Sequence, residues 1–200
     1  MEETAPADHP DRLRWNARYT DRTQGPFTPH PLAERALAMP LPDAPVLDLA
    51  CGPSGSTLLA ASTGRRVTAV DIADVALDLL GSEVRRRNLA DLVTLVHADL
   101  EVWRPGPSSY SLVLCTGYWE RPLFPAAVAA VAPGGVLAWE AFTLAARQDR
   151  TGRPGLPPAW CLGPGEPATL LPPDFTVLAC EDVGPKRRLL AVRRPEVPPR

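Results

Sequence analysis

The chain lacks the marks of several large protein classes. No apolar run approaches the about 20 residues that cross a bilayer, so no membrane association is expected. The opening "MEETAPADHPDR" is polar and has no apolar stretch of the kind a secretory signal needs. A cytoplasmic location is therefore expected. There is no excess of positive charge: 21 Lys and Arg stand against 23 Asp and Glu, for a net charge of −2. That balance argues against a surface built for nucleic-acid phosphates. Cysteine is scarce, with four in all, no C-x-x-C pair and no histidine cluster beside them. No metal site is expected. Cys51, Cys115 and Cys180 lie in or beside apolar runs and read as reduced core residues. There is no internal repeat. The short basic runs Arg85–Arg87 and Lys186–Arg188 read as solvated helix and strand ends.

What is present is one domain's worth of chain. Its 200 residues are 45% hydrophobic and 22% charged, the balance of a globular protein with a single core. The 25 prolines fall at boundaries, above all between Arg153 and Pro173 and at the C-terminal end. The pattern opens with two helices. The first is expected over Pro10–Arg22, capped by Asp8. The second lies in "TPHPLAERALAMP", with Thr28 as cap and Pro40 as stop.

From Val46 the chain alternates. "VLDLA", "RVTAVD", "LVTLVHAD", "YSLVLCTG" and "VLAWEAFT" read as strands. "STLLAASTG", "ADVALDLLGSEVRRRN" and "PLFPAAVAAVAPGG" read as the helices between them, the last ending in a Pro-Gly-Gly turn. "DFTVLACEDV" and "KRRLLAVRR", joined by Gly-Pro, read as a hairpin. Apolar strands separated by helices imply a parallel sheet covered on both faces. The expected fold is α/β: a Rossmann-like, doubly wound, mainly parallel seven-stranded sheet with a C-terminal antiparallel hairpin. In such sheets a ligand lies beyond the carboxyl ends of the strands, where strand order reverses.

The first such end reads "VLDLACGPSGST". A Walker A phosphate loop needs a Lys after its last glycine, and none follows Gly55. A dinucleotide fingerprint needs G-x-G-x-x-G, and the spacing of Gly52 and Gly55 fails it. What remains is a tight turn with a carboxylate, Asp48, inside the strand end. Asp71 closes the second strand. A carboxylate there offers two acceptor oxygens to a vicinal diol, as a ribose presents, and Ile72 behind it can pack on an adenine face. Asp99 follows the third strand and can accept from an adenine amino group. One such acid is an ordinary turn residue; three at successive strand ends behind one glycine turn point to an adenosyl group.

These stretches resemble the motifs of class I S-adenosylmethionine-dependent methyltransferases. "VLDLACGPSG" is similar to their first motif, "VTAVDIA" to the acidic ribose loop, "HADL" to the adenine step, "SLVLCTG" to the fourth strand and "VAPGGVLAWEAFT" to the fifth. "WNARY" near the N-terminus, with the final hairpin, resembles the tellurite-resistance (TehB-like) and thiopurine group. The resemblance implies S-adenosyl-L-methionine as cofactor, held by Asp48, Ala50, Cys51, Gly52, Ser54, Gly55, Asp71, Ile72, Asp99, Leu100, Cys115 and Thr116. It also implies a lid segment over 1–44, a methyltransferase domain over 45–194 and a flexible tail over 195–200. The chain departs from the family at Ser54, where glycine is usual, and at Ala50, where the first glycine commonly falls. A positive φ at Ser54 would cost about 1 kcal/mol or more. Ala73 stands where a Ser or Thr cap is common, with Asp74 as a substitute.

Methyl transfer from a sulfonium is an in-line displacement, so the protein's part is position and exclusion of water. No catalytic base is compelling. His97 lies inside a strand, His30 in a proline-rich helix start and His9 in the N-terminal tail. The acceptor side has candidates in Trp15, Arg18 and Tyr19, and in Tyr118, Trp119 and Arg121. Trp15 and Tyr19 share a helix face and equally suit packing; Arg121 equally suits a surface ion pair. The sequence after the fourth strand, "CTGYWE", lacks the D/N-P-P-aromatic motif of amino-methylating DNA and protein enzymes. A small-molecule acceptor is expected: a thiol, a metalloid oxyanion or similar, met by a monomer or homodimer. A chain that holds the cofactor without transferring methyl is the alternative, and an NAD-dependent oxidoreductase a distant third.

Overall fold

The computed structural model describes residues 6–20, 27–147 and 156–196. The expected end of the first helix at Arg22 and the last residues of the expected tail, 197–200, lie outside the described residues. Seven strands form one sheet in the order β3-β2-β1-β4-β5-β7-β6. They are β1 (Val46–Leu49), β2 (Val67–Asp71), β3 (Val93–His97), β4 (Tyr110–Thr116), β5 (Val131–Phe142), β6 (Phe175–Val183) and β7 (Lys186–Arg193). β1 to β5 run parallel, and β7 pairs antiparallel with both β5 and β6. This is the expected doubly wound sheet with its terminal hairpin, turned at Gly184 in the left-handed region (φ 57°).

Side chains alternate between two cores because the strand period is two. Val46, Val67, Leu112, Leu114, Val136, Ala138 and Leu190 meet helices α2 (Pro31–Leu37) and α3 (Gly55–Ser62) on one face. Helix α4 (Asp74–Arg86) joins that face with Leu80 and Val84 on Ala69. Leu47, Leu49, Val70, Val113, Cys115, Leu137 and Trp139 face the other side. There they pack with helix α5 (Leu123–Ala130) and with Leu162. Helix α1 (Pro10–Thr20) buries no residue in either core.

Several expectations change here. Of the segment 1–44, α2 belongs to the core, with Leu32, Ala33 and Ala36 buried. Its cap is His30, whose Nδ1 accepts the Leu32 N–H at 3.2 Å, rather than Thr28. His9 does the same for α1, accepting the Asp11 N–H at 3.3 Å, the place given to Asp8. An imidazole nitrogen accepts as a carboxylate or hydroxyl does, and each of these rings sits just ahead of its helix. The Pro-Gly-Gly turn is absorbed into β5, which starts at Val131 directly after α5. Gly134 takes φ 76° and the register with β4 shifts between Tyr110 and Leu112, so the irregularity bends the strand without ending it. Cys180 is exposed, because it lies on the edge strand β6, while Cys161 is buried. None of the four cysteines forms a disulfide.

Candidate functional site

Strand order reverses between β1 and β4, so the turns that follow them diverge and open a crevice. The turn after β1 forms its floor. The left-handed positions are Ala50 (φ 49°) and Gly52 (φ 57°). Ser54 is extended at φ −82° and carries no such strain. Its hydroxyl caps α3 by accepting the Thr57 N–H at 3.0 Å and donates to Asp48 Oδ2 at 2.7 Å. The Thr57 hydroxyl donates to the same oxygen at 2.7 Å. Burial pushes the Asp48 carboxyl up to about 6, against the pull of those two hydroxyls. Ser54 therefore ties the turn to the strand that precedes it. Gly55 is required by a close approach: a Cβ there would stand 2.5 Å from the Thr28 carbonyl oxygen and 2.6 Å from that of Phe27.

Asp71 closes β2 beneath this turn. Its Oδ2 accepts the Gly52 N–H at 2.7 Å and its Oδ1 the Ala73 N–H at 2.8 Å. Burial raises its pKa and the two N–H groups oppose the rise. Asp71 also lines the crevice, and a carboxylate oxygen that accepts one N–H can accept again. Asp99 follows β3; its Oδ1 accepts the Glu101 N–H at 2.8 Å and its Oδ2 lies 3.5 Å from His9 Nε2. His97 points elsewhere, bonded through Nε2 to the Ile72 carbonyl at 2.9 Å.

Helix α1 covers the crevice. Arg12 holds Asp74 through two donors, at 3.1 Å and 3.0 Å. Asn16 donates to Asp74 and accepts the Val75 N–H at 3.2 Å. The first turn of α4 is thus capped from another helix: Ala73 offers no side chain, and Asp74, expected to substitute, is instead the anchor for α1. The hydrogen bond from Arg12, against a smaller effect of burial, holds the Asp74 carboxyl well below its usual range. Trp15 and Tyr19 stack, with ring centroids 6.1 Å apart. The Tyr19 hydroxyl rests over Gly52, 2.8 Å from where a Cβ would stand. Beyond Trp15, Arg14 lies 4.3 Å over the ring of Trp160. The cleft beneath it is about 650 Å³, within the about 300–1,000 Å³ of clefts that hold a drug-sized ligand.

Residues 46–135 match the family model described as "Methyltransferase domain". Residues 46–135 carry a methyltransferase domain, and its cofactor is S-adenosylmethionine. No curated protein sequence matches it. In structure it is similar to a geranyl diphosphate C-methyltransferase from Streptomyces coelicolor A3(2), with TM-score 0.68 and 14% identity, over 94% of this chain and 100% of that one. It is similar to an S-adenosylmethionine-dependent methyltransferase from Mesorhizobium loti, with TM-score 0.64 and 17% identity, over 80% and 96% of the two chains. A protein described with the conversion of a disulfide bond into a thioacetal group during echinomycin biosynthesis has TM-score 0.65 and 19% identity, over 92% and 93%. At these identities the likeness is one of fold.

The second half of the methyltransferase cavity lies over β4, β5 and β7. Thr116, Gly117 and Tyr118 line it after β4. The Tyr118 carbonyl is pinned by Trp139 Nε1 at 3.1 Å and approached by the Cys115 thiol at 3.5 Å. Burial, with Glu120 nearby, raises the Tyr118 phenol far above its usual pKa, so it stays a neutral donor. Trp119 touches the cavity, but its ring packs on Phe124 and Trp139 in the core. Arg121 lies away from the cavity and pairs with Glu166 at 2.8 Å, the ion-pair alternative. Ala50, Ile72 and Leu100 line the cavity with Asp71 and Asp99, while Asp48, Ser54 and Gly55 support the turn behind it. Cys51 and Cys115 do not line it, and burial raises both thiols well above their usual pKa. The sequence reading missed Arg14, Glu101, Phe142, Trp160 and Lys186, all of which line the cavity.

Proposed function

We propose that the domain transfers a methyl group from S-adenosylmethionine to a small-molecule acceptor held over β4, β5 and β7. The observation that carries the reading is the covered cavity at the switch point, with Asp71 and Asp99 at successive strand ends on one side. The donor set suits the cofactor. In this reading Asp71 takes the ribose hydroxyls, Ile72 packs on the adenine, and Asp99 with Leu100 meets its edge. The turn at Ala50 lies along the methionine portion, and Arg18 binds the carboxylate, as a guanidinium does well. When bound, the cofactor supplies an electrophilic methyl group on sulfur. The protein excludes water with Trp15 and Tyr19 and orients the acceptor beside Thr116 and Tyr118.

His97 is committed to the Ile72 carbonyl, and His9 and His30 cap helices, so proton removal by histidine is not part of this reading. That suits an acceptor that brings its own lone pair, such as a thiolate or a metalloid oxyanion, the kind expected of the tellurite-resistance group. Four cysteines with no disulfide among them agree with a reducing cytoplasm. A cofactor-holding protein without transfer rested on Ser54, and Ser54 as cap and Asp48 partner no longer argues for it. The test is calorimetry with S-adenosylhomocysteine, followed by transfer of labelled methyl to a panel of thiols, selenite and tellurite. Binding with transfer supports the reading; binding without transfer to any acceptor returns the alternative.

A further inference from the structure

The acceptor side of the cavity holds a cation that the reading above does not use. Lys186 opens β7, beside the end of β5. Its Nζ lies 2.6 Å from Glu140 Oε1 and 5.0 Å from the centre of the Phe142 ring. It also sits at the tip of β4, 3.8 Å from where a Cβ on Gly117 would stand. Glu140 itself is buried, and its other oxygen takes Arg188 Nε at 2.6 Å and His30 Nε2 at 3.2 Å. His30 accepts the Leu32 N–H on Nδ1, so it serves Glu140 as a neutral donor through Nε2. Two fixed positive charges therefore meet one negative charge, and the cluster keeps a net positive charge.

An ammonium has three donors, and Glu140 engages one. Lys186 also lines the cavity. Asp11, Arg14 and Arg18 of α1 line the cover, and on the sheet side the charges are segregated. Asp71, Asp99 and Glu101 stand at the ends of β2 and β3, on the adenosyl side. Around Lys186 the lining is Thr116, Tyr118 and Phe142, none of them charged. A strongly hydrated ammonium in an aromatic, covered space gains most from an anion that replaces its water.

We propose that Lys186 receives the negative group of the methyl acceptor, and that the acceptor is a small organic anion whose apolar body lies against Phe142 and Trp160. This rests on the methyltransferase reading for the direction of the cavity. Glu140 is a positioning residue: buried and doubly paired, it aims Lys186 toward the β4 tip.

The test uses 1-naphthoate and its neutral counterpart 1-naphthamide, titrated by tryptophan fluorescence into the full chain with saturating S-adenosylhomocysteine. The wild type should bind naphthoate about tenfold or more tighter than naphthamide, the scale of one charge-assisted hydrogen bond. Lys186→Met should erase that preference, and Lys186→Arg should keep most of it. S-adenosylhomocysteine affinity should stay within about twofold in both variants, since the ammonium lies across the cavity from the adenosyl acids. Equal binding of the two probes, no binding of either, or a preference that survives Lys186→Met overturns the proposal. Failure of the wild type to bind S-adenosylhomocysteine instead overturns the methyltransferase reading. A Lys186-dependent preference for naphthoate would then stand as an anion site alone, and its absence would remove both.

Discussion

Helices α3 and α1 both frame the crevice, and they are held in opposite ways. Six of the eight residues of α3 are buried, and its cap, Ser54, is bonded to a buried carboxylate. None of the eleven residues of α1 is buried. It is held by Arg12 and Asn16 on Asp74, His9 near Asp99, and Arg14 on Trp160. The floor is part of the core and exists before a ligand arrives. The cover rests on polar tethers at the surface, each worth about 1 kcal/mol or less. It therefore belongs to the low-stability end of the molecule, where moving elements are found.

Substitutions should separate the two. Gly55→Ala drives a Cβ into the Phe27 and Thr28 carbonyls, neither of which is a flexible side chain. Overpacking of this kind typically costs about 1–3 kcal/mol, and the upper end or beyond is expected in urea unfolding. A neutral result would show that the floor yields as readily as the cover.

Asp48 is next. Its carboxyl rises from 3.8 unfolded to about 6 folded, so the folded state holds more protons between those values. Stability should fall as pH rises through that window, by up to about 3 kcal/mol from this group alone. Asp74 and Glu140 are held below their usual range, so their contributions run the other way and are lost as pH falls from about 4.5 downward. Asp48→Asn isolates the effect: the difference between variant and wild type should grow in the variant's favour from pH 4 to pH 7. A flat difference would deny the buried charge.

Asp71→Ala removes the partner of two floor N–H groups and the proposed ribose acceptor. Calorimetry should show S-adenosylhomocysteine binding weaker by about 2 kcal/mol, roughly thirtyfold. Unchanged affinity in a folded variant would move the adenosyl group elsewhere.

The smallest expected change is at the cover. Asn16→Ala or Arg12→Ala should alter unfolding stability by about 1 kcal/mol or less. Either should still weaken S-adenosylhomocysteine by about threefold to tenfold, because an untethered α1 closes less often. A large stability loss with unchanged affinity would make α1 a structural element like α3.

The floor was legible because buried parallel strands read as plain apolar runs and the acids stand at their ends. The cover was legible only in outline. "WNARY" drew attention to Trp15, Arg18 and Tyr19, while the tethers on α4 are Asn16 and Arg12. The signal was Ala73: a helix that opens on alanine leaves its first N–H groups without a cap, and another chain segment must supply one. His9 and His30 were passed over as caps because histidine is uncommon there, although each stands just ahead of a helix. Cys180 was misplaced because β6 is an edge strand whose residues are mostly exposed despite an apolar sequence. Lys186 read as a solvated strand end. Its place follows from the hairpin: the Gly-Pro turn returns the chain antiparallel beside "EAF" and delivers the residue after it to the carboxyl end of β5.

Hydrogen exchange of the full chain, with and without saturating S-adenosylhomocysteine, tests the contrast most directly. Without ligand, the amides of α1 should exchange far faster than those of β1, β4 and α3. With ligand, protection should rise in α1 and in the turn from Ala50 to Ser54 while the sheet changes little. An α1 already protected like the sheet in the free protein, or one whose exchange ignores the ligand, would contradict a preformed floor under a tethered cover.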